Sequence, residues 1–132
     1  MTAPVLTELS RVECFRLLER VELGRVGVSI DALPVILPVF ITALDDSIVF
    51  RTVAGSRLPA ASLGAIVAVE ADSFDAASGR GWSVLVRGAA HDLVDPVRAD
   101  AARARLGEAW PDAPRADLVE VTADLVTGRR LG

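Results

Sequence analysis

The chain has 132 residues, 52% of them apolar and 24% charged, with a net charge of −4. That length fits a single domain over residues 1–132, and the acidic balance argues against nucleic acid as a partner, because such binding depends on basic groups that meet phosphates. A mean hydropathy of +0.42 is high for a soluble protein of this size; it implies apolar surface buried beyond the core, most simply between two copies of the chain.

Ser10-Arg11-Val12-Glu13 has the capping-box spacing, and Val12, Phe15, Leu18 and Val21 recur at helical intervals, which predicts an amphipathic helix from Ser10 to Arg20. Cys14 falls on its apolar face and reads as structural filler. As the lone cysteine it forms no internal disulfide, and with no signal peptide in view the expected compartment is the reduced cytoplasm. Gly24 stops the helix. Arg25 to Ile30 then alternates apolar Val26, Val28 and Ile30 with small Gly27 and Ser29, the pattern of a strand approached closely on one face.

Leu33 to Ala43 is apolar on both faces, and its longest apolar run, Val35 to Ala43, has about half the length that crosses a bilayer. Pro38 interrupts it. Because proline has no N–H to give to a ladder, pairing must open there or the residue must sit at an edge or bulge. Asp45-Asp46 makes the hairpin turn into a strand from Ser47 to Thr52.

The stretch Ile48 to Arg57 ends that strand in a glycine turn and opens a short helix, Leu58 to Leu63. A first helical turn presents unpaired backbone N–H groups and the positive end of the helix dipole, which together favour an anion. Ser56 is the natural N-cap, Gly55 allows close approach, Thr52 adds a hydroxyl, and Arg51 and Arg57 offer bidentate forks for phosphate oxygens. The same residues also make an ordinary capped turn with solvated arginines.

Ala65 to Glu70 reads as a buried strand, followed by a polar connection from Asp72 to Gly81. Glu70, Asp72 and Asp75 are hard oxygen donors but lack the spacing of a calcium loop, so they read as a solvated loop. A long strand follows from Trp82 to Leu93, then a helix from Val97 to Ala109 capped by Asp95, a loop over Trp110 to Pro114, and a last strand near Leu118 to Leu125. Six strands with hairpin-like spacing and few short helices predict a mainly β fold with flanking helices, a six-stranded antiparallel barrel. His91 and Cys14 are too few to build a zinc or iron centre, and His91 beside Asp92 reads as a solvated strand-end residue. No nucleophile elbow, Walker loop or Rossmann fingerprint is present. An enzyme built on this chain would draw its reactivity from a bound cofactor.

Several separated blocks occur in a telling order: Glu8-Leu9-Ser10, Glu13-Cys14, Gly24-Arg25-Val26-Gly27, Pro38-Val39, Ile48 to Thr52, Gly55-Ser56-Arg57-Leu58, Gly81 to Gly88 and Thr127-Gly128-Arg129-Arg130. In this the chain resembles the pyridoxamine 5′-phosphate oxidase-like family of flavin-binding split barrels, over nearly its whole length. The resemblance implies a homodimer with FMN at the interface and its phosphate held by Arg51, Thr52, Ser56 and Arg57. It further implies flavin contacts at Pro38, Val39 and Phe40, with Trp82 and Ser83 from the other subunit closing the site; Trp82 also reads as a barrel plug or interface anchor. Leu58 stands where the oxidases proper have lysine, Phe40 where near relatives often have asparagine, and the tail lacks the arginine-and-histidine grip on pyridoxamine phosphate. The implied function is a flavin-dependent oxidoreductase of unassigned substrate. A deazaflavin-dependent oxidoreductase and a non-catalytic flavin-binding or sensing barrel are the alternatives on the same fold.

Overall fold

In the computed structural model, which describes residues 5–51, 63–107 and 118–132, alternation of buried and exposed side chains sets the strands. They are β1 (Leu6–Glu8), β2 (Leu23–Ile30), β3 (Leu33–Leu44), β4 (Ser47–Arg51), β5 (Ile66–Asp75), β6 (Arg80–Asp92), β7 (Leu118–Thr122) and β8 (Leu125–Leu131); the helices are α1 (Arg11–Leu18) and α2 (Pro96–Leu106). All strand pairings between them are antiparallel. The order β6-β5-β2-β3-β4-β7 returns to β6 through a β6–β7 ladder, so six strands form a ring, as the sequence predicts. The ring is closed by only three residue pairs, Ala90↔Val121, His91↔Glu120 and Asp92↔Val119.

β6 serves two partners in succession. Its first part pairs with β8, from Gly81↔Leu131 to Arg87↔Leu125, and its last three residues pair with β7. Gly88 sits at this fork. A Cβ there would run into the backbone carbonyl of Thr122, so only glycine lets the two strands part.

Inside the ring, Val26, Val28, Ile41, Ile48, Phe50, Val67, Val69, Val84, Val86, Val119 and Val121 make the core, which Cys14, Leu17 and Leu18 of α1 extend. Ser10 caps α1 by accepting from the Glu13 amide at 3.2 Å. Cys14 is fully buried against the bare face of Gly128, and burial raises its thiol pKa, so it is filler and not a nucleophile. A second cluster lies outside the ring, where Ala99 and Ala102 of α2 cover Leu44, Val49, Leu93 and Leu118. Asp95 caps α2 by accepting from the Val97 and Arg98 amides. Among the described residues no helix is long and apolar enough to cross a membrane.

Three expectations need correction. The predicted strand Leu118 to Leu125 is two strands that part at Ala123 and Asp124, and the tail beyond forms β8, which also pairs with the short β1. The polar stretch after Glu70 is no loop: β5 runs on to Asp75, and a tight turn with Gly79 at φ 70° leads into β6 at Arg80. Leu63 makes a single parallel bridge to Ala90 and does not end a helix; the rest of the predicted Leu58 to Leu63 helix lies outside the described residues. Ala109 likewise lies outside them, and α2 stops earlier, at Gly107 with φ 67°.

Candidate functional site

Arg51 ends β4 and shares its outward face with Ser47 and Val49. Register places it across from Phe40 on β3, and its guanidinium carbon lies 5.6 Å from the centre of that ring, within cation–π range. Its Nη1 donates to the carbonyl oxygen of Gly107 at 2.5 Å, capping α2 where the helix dipole is negative. Its Nη2 is buried and, among the described residues, has no hydrogen-bond partner. A buried donor left unmade costs about 1–3 kcal/mol. An oxyanion at this corner relieves that cost, and a guanidinium already pinned on two sides gives up little entropy to meet one.

Beside this corner the sheet opens. The ladder between β3 and β4 runs from Leu44↔Ser47 to Phe40↔Arg51 and stops, whereas β3 continues to pair with β2 back to Leu33. Among the described residues, Leu33 to Val39 therefore have a strand on one edge only, and Pro38 lies in that stretch, as its missing N–H demands. Pro38 and Phe40 face outward, while Val39 between them is buried in the core, so Val39 offers only its backbone to the outer surface.

Thr52, Ser56, Arg57 and Leu58 lie outside the described residues. Trp82 and Ser83 are described, and their strand turns them to opposite faces. Trp82 packs against the ring's core, and Ser83 faces outward between Asp72 and Arg129. Within one chain, Ser83 and Pro38 are separated by β2 and β5, about 14 Å at 4.8 Å per strand spacing.

Two polar constellations escape a reading of the sequence, because each joins strands far apart in the chain. On the outer face Arg25 Nη1 donates to Glu70 Oε1 at 3.1 Å and Asp72 Oδ2 at 3.3 Å. Glu70 is pushed up to about 7 by burial first and then by Asp72, with Arg25 opposing. Glu70 and Asp72 alternate along β5, a period-2 signal that was open to notice.

At the closing seam Glu120 is buried and accepts from Arg98, from Ser47 Oγ at 2.5 Å and from His91 Nε2 at 2.9 Å. Hydrogen bonds from Arg98 outweigh burial and hold its carboxyl down to about 2, with Ser47 and His91 adding to the effect. His91 is thus a partner of Glu120 and not a free strand-end residue. The set is no hydrolytic triad: the carboxylate lies between serine and histidine, so the histidine does not reach the hydroxyl. It ties α2, β4, β6 and β7 together.

A family model for pyridoxamine 5′-phosphate oxidase matches residues 10–130. The chain belongs to this family. It is 35% identical to an uncharacterized protein of Mycobacterium tuberculosis, over 98% of this chain and 88% of that one. Among solved structures it is similar to an FAD-binding protein from Mycobacterium smegmatis, with 34% identity, a TM-score of 0.77 and coverage of 94% of this chain and 96% of that one. An FAD-binding protein from Mesorhizobium loti shares the fold at a TM-score of 0.82 and 22% identity, over 98% of both chains. The split-barrel fold and flavin binding as a general property of the family fit the ring and the Arg51 corner. Family membership does not carry the oxidase reaction with it.

Proposed function

We propose that this protein is a flavin-dependent oxidoreductase that holds the phosphate of a flavin nucleotide at the Arg51 corner. The observation that carries the proposal is the buried, unpartnered Nη2 of Arg51 on a guanidinium fixed by Gly107 and Phe40. Thr52, Ser56 and Arg57 complete the cradle in this reading, and the open edge of β3 at Pro38 and Val39 leaves backbone groups for the ring system. When bound, the flavin supplies hydride or electron transfer, for which no described side chain is a substitute. The chain's part is to bind the phosphate, orient the ring and exclude water.

The 34% identical FAD-binding protein makes FAD the first nucleotide to test; FMN, which the sequence resemblance implies, presents the same phosphate next to the ribityl chain. Ser83 stands two strands away from the β3 edge in its own chain, so its contact to the same flavin requires a homodimer. The test is the purified protein itself, titrated with FAD and with FMN and read by absorbance. We expect a two-band yellow spectrum and saturable binding of at least one of them. A protein that binds neither contradicts the proposal, and a single band at shorter wavelength replaces the flavin with a deazaflavin.

A further inference from the structure

Neither helix covers the outer face of β3, β2, β5, β6 and β8: the core residues of α1 join the inside of the ring, and α2 packs over Leu44, Val49, Leu93 and Leu118. Register lays the outward residues of this face in rows. One row reads Ile36, Gly27, Ala68, Arg87, Leu125, the next Pro38, Arg25, Glu70, Leu85, Thr127, and a third includes Asp72, Ser83 and Arg129. Gly27, Ala68 and Ser83 keep the floor low, while Ile36 is 71% exposed, Ile66 70% and Leu125 58%. Large apolar side chains left in water around a flat floor mark a surface that meets another one.

The charges narrow the choice of partner. The face carries three guanidinium groups, Arg25, Arg87 and Arg129, and two carboxylates, Glu70 and Asp72. Arg25 serves both carboxylates through one nitrogen, and Arg87 and Arg129 have no ion pair among the described residues. A surface that holds both signs, with cations to spare beside an anionic pair, is complementary to a two-fold related copy of itself.

We infer that this face seats a second copy of the chain across a two-fold axis, and that the Arg25–Glu70–Asp72 cluster takes up a proton as the copies meet, so that the dimer weakens as pH rises through neutrality. The inference deepens the shared-site reading proposed above and rests on it.

The sign follows from the neighbours of Glu70. Arg25 faces it from β2, Asp72 stands beside it on β5, Leu85 lies opposite on β6 with Arg87 one row away, Thr127 follows on β8 with Arg129 one row away, and β3 contributes Pro38 and Ile36. With Glu70 neutral, Arg25 and Asp72 balance. With Glu70 ionised, each copy brings one uncompensated negative charge into the contact. Glu70 is already pushed up to about 7 in the single chain, chiefly by burial, and a second copy removes more water from it. Its pKa is therefore higher in the dimer than in the monomer, and the stabilisation is present below that pH range and lost above it.

The experiment is sedimentation velocity on the full chain at constant ionic strength, at pH 6 and pH 8, with E70Q and D72N beside it. The parent should dimerise about tenfold more weakly at pH 8 than at pH 6. E70Q, which keeps the shape of the neutral acid, should be equally tight at both, and D72N should shift the transition to lower pH by removing a charge that raises it. A parent dimer with the same affinity at both pH values, or a dependence that survives in E70Q, overturns the proton linkage and leaves the shared site standing. A parent that stays monomeric at both pH values overturns the seating and the shared site together.

Discussion

Arg51 and Gly107 meet where a strand end touches a helix end: Nη1 of the arginine donates to the last carbonyl of α2 at 2.5 Å. One cation thus locks a helix terminus and holds a second, buried nitrogen beside it without a partner. Its structural duty is separable from any ligand. Without ligand, Arg51→Ala should destabilise the fold by about 1–2 kcal/mol, from the lost cap and charge-assisted hydrogen bond. Thermal melts followed by circular dichroism check this; an unchanged midpoint would remove the cap from the account.

Glu120 gives a pH dependence with a definite sign. Its carboxyl is held down to about 2 by Arg98, Ser47 and His91, below its ordinary value near 4.5 in the unfolded chain. The stabilisation, about 3 kcal/mol from the size of that shift, is fully present above pH ~4.5 and lost as pH falls towards 2. Urea unfolding of the parent and Glu120→Gln at pH 7 and pH 3 should show a large gap at pH 7 that narrows at pH 3. A gap that widens in acid would contradict the assignment.

Gly88 and Gly27 make a matched pair. A Cβ at Gly88 collides with the backbone of Thr122 at the fork of β6, whereas at Gly27 it meets the Ala68 Cβ at an ordinary 3.8 Å. Gly88→Ala should cost more than about 3 kcal/mol or abolish soluble expression, while Gly27→Ala should change stability by less than about 1 kcal/mol. Equal effects at the two positions would mean that β6 does not divide its pairing there.

The turn between β2 and β3 carries Asp31 at φ 51° and Ala32 at φ 64°. Two left-handed residues fit a tight hairpin, but alanine is a costly occupant of that region. Ala32→Gly should therefore stabilise the fold by roughly 1 kcal/mol in urea unfolding; destabilisation would place the strain elsewhere.

Much of this architecture is legible in the chain because its signals are local. The Ser10 and Asp95 caps, the Asp45-Asp46 turn and the alternation of Val26, Val28 and Ile30 each depend on a few neighbouring residues, and each meets its expected element. The failures share a cause. Ala123 and Asp124 divide β7 from β8 without glycine or proline to mark the break, and β1 is three residues long, recognisable only through its partner β8. Glu70 and Asp72 look like loop residues until β5 is seen to present them on an outer face, where polar side chains alternate with a buried Val69 and Ala71. At the site, Arg51 was readable from its place after a β-branched run, but its bond to Gly107 was not, since no pattern in the sequence joins the end of β4 to the end of α2.

The central claim is that the Arg51 corner binds a flavin's phosphate, and it is tested most directly by a double comparison of ligands and proteins. FAD, FMN and riboflavin, which lacks the phosphate, are each titrated into the parent and into Arg51→Ala by fluorescence quenching. The account expects the parent to bind a phosphorylated flavin far more tightly than riboflavin. It expects Arg51→Ala to weaken that nucleotide about ten- to hundredfold, the effect of one charge-assisted contact, while leaving riboflavin unchanged. If Arg51→Ala weakens riboflavin as much as the nucleotide, or weakens neither, the phosphate is not held at Arg51 and the residue is a helix cap alone.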